Sequence, residues 1–300
     1  MEVQMTSACS LLPEAVAGEL VLAVDTLVQG VHFPADTAHT DVGHKALAAN
    51  LSDLAAMGAE PLLAVVDASG PLTDQNWWPE LGAGLKQLGQ RFGMRVDFRE
   101  PSAGAFSVTV HVYGVTPKNA AVRRSGAACG DNIYVTGTLG DAGLALEYWN
   151  KSSGPQADLD FLRQRLTRPI PRIAEGMAMR GLASAAIDVS DGLLADLGHL
   201  LRSSGVGALL HMDRIPLSES ARRLCPDSES ALQLALSAGD DYELCVTVPS
   251  DQAATFEKRM ARTGTKLTAI GEVRSSPGLF CQAEDGSHRE ISAQGFQHFS

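Results

Sequence analysis

AIDVSDGLLADLGHL, residues 186–200, reads as a strand, a polar turn and a helix in immediate succession. An apolar strand ends at Ala185–Ile187, Asp188, Ser190 and Asp191 crowd the turn, and leucines then recur at helical spacing. Strands that feed helices in this way build α/β or α+β proteins, where ligands gather beyond the carboxyl ends of strands. The turn itself has two readings. Asp or Ser there can cap the helix by accepting its free N–H groups. Two carboxylates three positions apart, with a hydroxyl between them, also suit Mg²⁺, which takes a few carboxylates and completes its shell with water and substrate oxygens.

The same alternation extends through the chain. Strand-like runs at Glu19–Thr26 and Leu62–Ser69 flank a helix over Asp41–Gly58, a β-α-β pattern. A second helix is predicted over Asp74–Phe92, then strands over Met94–Phe98 and Ala105–Val115. The turn-forming stretch PKNAAVRRSGAACG, residues 117–130, sets a boundary that divides the chain into 1–116 and 117–300; the connection is short, so the two units pack together rather than hang on a tether. Beyond it the pattern predicts a strand at Asn132–Thr136, a helix near Asp141–Tyr148, helical stretches through Leu182 and a helix from about Asp191. Further strands are expected near Gly207–Asp213, Tyr242–Val248, Lys266–Val273 and Gly278–Gln282.

Composition narrows the function. With 300 residues, 45% hydrophobic and 20% charged, the chain is an ordinary folded protein. A net charge of −11 without any stripe of Lys and Arg excludes a nucleic-acid binder. It does not exclude a nucleotide, because divalent cations bridge carboxylates to phosphates. The five cysteines are scattered and form no CxxC pair, which reads as reduced cytoplasmic thiols. No signal peptide and no membrane span is legible, so a cytoplasmic location without membrane contact is expected. Neither a GxxxxGK[ST] loop nor the HRD, DFG and VAIK signatures of protein kinases occurs. The glycines of GTLGDAG, residues 137–143, miss the GxGxxG spacing and fit a turn as well as a phosphate contact.

Four other places carry candidate chemistry. In KALAANLSDLAAMGAEP, residues 45–61, Asn50 and Asp53 fall on one helical face, either as a solvated polar stripe or as site residues. Asp25 ends an apolar strand in LAVDTLVQGVHF, residues 22–33, and His32 follows in an apolar setting, where a structural histidine is the ordinary reading. Asp240 and Asp241 stand side by side in SAGDDYELCVTVP, residues 237–249, and adjacent carboxylates repel unless a cation, a donor or water separates them. Arg123 and Arg124 lie at the boundary between units, where a guanidinium fork suits phosphate oxygens.

DTLVQGVHF, KALAANLSDLAAMGAEP, RRSGAACGDNIYVTGTLGDAGLAL, AIDVSDGLLADLGH and GDDYELCVTVP, in that order and across nearly the whole chain, resemble the thiamine-monophosphate kinases of the aminoimidazole ribonucleotide synthetase-like superfamily. The resemblance implies an N-terminal sheet domain that pairs in a homodimer, a C-terminal α/β domain, and Mg-dependent phosphoryl transfer from ATP to thiamine monophosphate. It further implies that Asp25, Asp53, Asp188 and Asp191 ligate metal, that Arg124 and Ser190 contact ATP, and that His32 and Asp240 contact thiamine monophosphate, Asp240 standing where the family has Glu. No side chain is expected to act as a covalent nucleophile, since the transfer needs alignment and charge neutralisation above all.

Three departures accompany the resemblance. The family's GDD motif aligns with Thr6-Ser7-Ala8, its GGD motif with Phe98-Arg99-Glu100, and an expected Trp with Gln294. Glu100 keeps a carboxylate for metal, while bulk at Phe98 and Arg99 is expected to obstruct approach of the backbone to phosphate. These changes predict weakened or altered metal binding. Two alternatives stand beside that reading: a related ATP-using enzyme for another small substrate, and a nucleotide-binding paralogue with impaired catalysis.

Overall fold

The computed structural model describes residues 18–71, 76–282 and 288–291. Thr6–Ala8, Cys9 and Gln294 lie outside them. The first unit runs β1 (Glu19–Val28), α1 (His39–Ala56), β2 (Glu60–Gly70), α2 (Trp77–Arg91), β3 (Arg95–Phe98), β4 (Ser102–Ala103) and β5 (Ser107–Thr116). Its sheet has the order β1-β5-β2-β3, with β4 against β2. β5 is antiparallel to both β1 and β2, while β2 and β3 run parallel. The alternation in FSVTVHVYGV fixes the register: Val108, Val110 and Val112 face the helices, and Thr109, His111 and Tyr113 face away.

The second unit contains β6 (Asn132–Thr136), α3 (Asp141–Glu147), α4 (Gln156–Thr167), α5 (Ile173–Met179), β7 (Ala185–Val189), α6 (Leu193–Ser204) and β8 (Gly207–Leu210). A 3₁₀ turn (Met212–Arg214) leads on to α7 (Glu219–Leu224), α8 (Ser228–Ser237), β9 (Glu243–Val248), α9 (Ala253–Met260), β10 (Leu267–Arg274), β11 (Gly278–Gln282) and β12 (His288–Glu290). Its sheet order is β12-β11-β8-β10-β6-β9-β7, and among the described residues only the β11–β8 pair is parallel.

Helix α1 joins the two units. Alanines and leucines surround its axis, and a helix apolar on every side belongs in an interior. It packs on β1, β2 and β5 on one side and on α5, β7 and β9 on the other. One apolar core accordingly runs from Val66, Val110 and Phe98 through Leu47 and Leu51 to Leu244, Val246 and Phe256. Helix α2 crosses α1 closely because Gly84 has no side chain: a Cβ there would stand 1.9 Å from the Thr40 carbonyl oxygen. A second core lies under α6 and α8, and a third among α3, α4 and α7.

Several boundaries differ from expectation. The strand expected to reach Asp213 ends at Leu210, just before the 3₁₀ turn at Met212–Arg214, and α6 starts at Leu193 because Gly192, at φ 109°, is still turning the chain. The two-residue β4, the short helices α7–α9 and β12 carry too little periodicity to be read from sequence. Cys129, Cys225, Cys245 and Cys281 are free thiols. Among the described residues no helix is long and apolar enough to cross a membrane.

Candidate active site

A cleft of about 580 Å³ opens where β1, α1, β7 and the loops before α1 and β9 meet. Side chains of β1 alternate, so Leu20, Leu22 and Val24 point outward while Asp25 turns toward α1. Asp53 reaches the cleft from the last turns of α1, and Asp188 from the carboxyl end of β7. Ser190 and Asp191 come from the turn that follows β7, and Arg124 from the connection between β5 and β6. His32 is supplied by the loop after β1, and Asp240 by the loop before β9. Eight residues chosen from sequence are thus drawn from seven segments into one space.

Glu100 is a correction. It follows β3, the strand at the opposite edge of the sheet from β1, and lines a separate hollow with Asp67, Ser69, Arg99 and Thr109. Within one chain it does not join the four aspartates. The Phe98 ring is fully buried and meets Trp78 edge-on at 5.7 Å, while Arg99 pairs with Asp67 at 3.3 Å. Asn50 and Asp53 are no solvated stripe either: Asn50 is completely buried and donates to the Ala46 carbonyl at 3.0 Å.

The turn after β7 answers the capping question. Helix α6 has Gly192 at its N-cap and no side-chain capping bond. Asp196, in the first turn of α6, instead accepts the N–H groups of Ser190 (3.0 Å) and Asp191 (2.9 Å), which folds the turn back on the helix. This carboxylate was missed in the sequence, although an acid near a helix start that reaches back to free amides is a known signature. The loop before β9 is pressed against the same turn. A Cβ on Gly239 would lie 2.2 Å from the Ser190 carbonyl oxygen, so only glycine fits. The Asp240–Asp241 pair avoids repulsion by facing opposite ways. Asp240 is at the cleft, whereas Asp241 is buried, accepts the Gly140 N–H at 2.8 Å and lies near Arg165.

Carboxyl groups crowd the cleft and hold their protons more tightly than usual. Burial and the neighbouring Asp188 and Asp25 push the Asp53 carboxyl up to about 8. Burial likewise raises Asp188 to about 6, Asp196 to about 7 and Asp25 above its ordinary value, while Arg124 opposes the rise at Asp53 and Asp188. One guanidinium facing this many carboxylates leaves room for cations. All the carboxylate donors are hard oxygen ligands, which suit Mg²⁺ over softer metals. No three His, Cys, Asp or Glu side chains among the described residues close a cage by themselves.

A pH-dependent metal effect follows. Asp53 holds its proton in the folded state up to about pH 8 but ionises at an ordinary carboxylate value when unfolded. Its contribution to stability is therefore present at low pH and lost as pH rises through 8. A cation between the carboxylates removes that loss. Thermal unfolding should show Mg²⁺ raising Tm by about 3 °C at pH 9 and by under about 1 °C at pH 6; an equal shift at both values contradicts the assignment.

The arrangement has known relatives. Residues 9–116 match the family described as AIR synthase related protein, N-terminal domain, and residues 128–284 match AIR synthase related protein, C-terminal domain. Fold and cleft therefore define an AIR synthase related protein. The thiamine-monophosphate kinase of Salmonella typhimurium is 40% identical over 294 residues, covering 97% of this chain and 90% of the relative. The crystal structure of thiamine-monophosphate kinase from Stenotrophomonas maltophilia K279a superimposes with a TM-score of 0.85 at 39% identity, over 91% of this chain and 87% of that one. AaThiL complexed with AMPPCP and TMP gives 0.84 at 30% identity, over 96% and 90%. The chain belongs to the thiamine-monophosphate kinase family.

Proposed function

We propose that this chain transfers the γ-phosphoryl group of ATP to thiamine monophosphate, giving thiamine diphosphate and ADP, in the cytoplasm. The observation that carries this reading is the convergence of Asp25, Asp53, Asp188 and Asp191, far apart in sequence, on one cleft with Arg124 and Ser190. The match to AaThiL complexed with AMPPCP and TMP supports the two substrates. The division into residues 1–116 and 117–300 follows the link between the two sheets.

Asp25, Asp53, Asp188 and Asp191 would hold Mg²⁺, which when bound neutralises charge between the two phosphate groups. Arg124 binds donor phosphate oxygens through its guanidinium fork, and the Ser190 hydroxyl fixes the same group at the turn. His32 accepts the Val28 N–H at Nδ1 (2.9 Å), so its proton sits on Nε2. The ring is thereby oriented before substrate arrives. The acceptor phosphate is largely ionised near neutral pH, its second pKa being about 6, so no side chain has to remove a proton from it. Coupled detection of ADP release tests the substrate: turnover with thiamine monophosphate is expected, whereas turnover only with aminoimidazole precursors would move the chain to a sister activity.

The enzyme acts as a homodimer in this reading. Leu20, Leu22 and Val24 are about half exposed, at 53%, 58% and 50%, on an edge strand. They lie on the sheet face that α1 and α2 leave open, in register with Val115, Tyr113 and His111. An apolar face of this kind is stabilised by a second copy. Leu22→Lys should convert the dimer to monomer in sedimentation velocity; a dimer unchanged by that substitution places the contact elsewhere.

A further inference from the structure

Lys45 has no part in the chemistry above, yet it is the most conspicuous buried charge in the first unit. It lies on α1, two turns before Asp53, and is 2% exposed. Its Nζ donates to Asp240 Oδ2 at 2.8 Å and to the His32 carbonyl oxygen at 2.8 Å. Lysine is almost never fully buried unless paired, and an apolar residue of similar volume usually costs less in such a place. The ammonium is therefore not explained by packing. What it does is join two loops from different sheets: His32 follows β1 and Asp240 precedes β9.

We propose that Lys45 is a positioning residue for the acceptor end of the cleft, clamping the His32 loop and the Asp240 loop at a fixed separation. This rests on the kinase reading of the cleft for its substrate, though the clamp itself does not. Both Asp240 oxygens are engaged, Oδ2 by Lys45 and Oδ1 by the Tyr242 hydroxyl at 2.9 Å. Burial pushes the Tyr242 phenol up, which keeps it a donor. Asp240 thus meets the acceptor as a fixed, partly neutralised carboxylate. The loop needs such ties, because Asp240 (φ 66°) and Tyr242 (φ 50°) both adopt left-handed backbone. A tyrosine persists there only where its surroundings over-determine it. Two backbone bonds, Asp240 N–H to the Ser190 carbonyl and Tyr242 N–H to that of Val189, each 2.8 Å, secure the loop to the turn after β7. Lys45 supplies the remaining tie, across the cleft to the other sheet.

The test compares wild type with Lys45→Met, Asp240→Gly and the double variant, glycine being chosen because it tolerates the positive φ. In steady-state kinetics, Lys45→Met should raise KM for thiamine monophosphate about tenfold while KM for ATP moves less than about twofold, and the double variant should be no worse than the worse single one. Equal increases in both KM values, or additive losses, would overturn the proposal. Amide hydrogen exchange without substrate provides a second arm. In Asp240→Gly, residues 30–33, on the opposite loop, should exchange about tenfold faster. Unchanged exchange there overturns the clamp even if Lys45→Met does not fold. Absence of thiamine monophosphate phosphorylation by wild type would sink the kinase reading instead, and the exchange experiment would still decide the clamp.

Discussion

Asp53→Asn should abolish turnover and at the same time stabilise the metal-free protein. Asn has the shape of Asp without its charge, and Asp53 lies among Asp25 and Asp188 with its carboxyl pushed up to about 8. At pH 6 the folded wild type already holds a proton that its unfolded chain has released, so the variant should be more stable there too, though by less than at pH 9. At pH 9 wild type carries the full repulsion and the variant does not, so its Tm without metal should be higher by about 2 °C or more. Activity should move the other way, falling about a thousandfold, the scale seen when a group that stabilises transition-state charge is removed. A variant that lost activity through misfolding would melt lower at every pH. The opposite signs of the two effects distinguish a functional carboxylate from a structural one.

Asp191→Asn should produce the second largest effect, and one that depends on metal concentration. The α6 N-cap is Gly192, with no side-chain capping bond, so the substitution costs the helix nothing at its cap. Loss of one negative ligand weakens cation binding. At limiting Mg²⁺ the variant should retain about one hundredth of wild-type kcat/KM, recovering to within about tenfold at saturating Mg²⁺. Activity equal to wild type at every Mg²⁺ concentration removes Asp191 from the metal group.

How much of this was legible in the sequence depended on how local the signal is. The β7–α6 turn announced itself because an apolar strand, a polar turn and a periodic helix are contiguous. Asp53 was ambiguous, since α1 is buried on nearly every side and so lacks the two-faced pattern that separates a site from a solvated stripe. Lys45 was invisible for the same reason, and because its partner Asp240 lies 195 residues away. Asp196 could have been found from its place near a helix start. Tyr242 could not, since its role follows from a left-handed backbone that no residue type signals. Glu100 was carried over by motif alone, and the strand order of the first sheet separated it from the group it was expected to join.

The most direct test is crystallographic. Crystals grown with Mn²⁺ in place of Mg²⁺, a non-hydrolysable ATP analogue and thiamine monophosphate should show anomalous peaks about 2.1 Å from carboxylate oxygens of Asp25, Asp53, Asp188 and Asp191, between the two phosphate groups. Phosphates bound in the cleft with no anomalous peak beside any of the four aspartates would contradict the account.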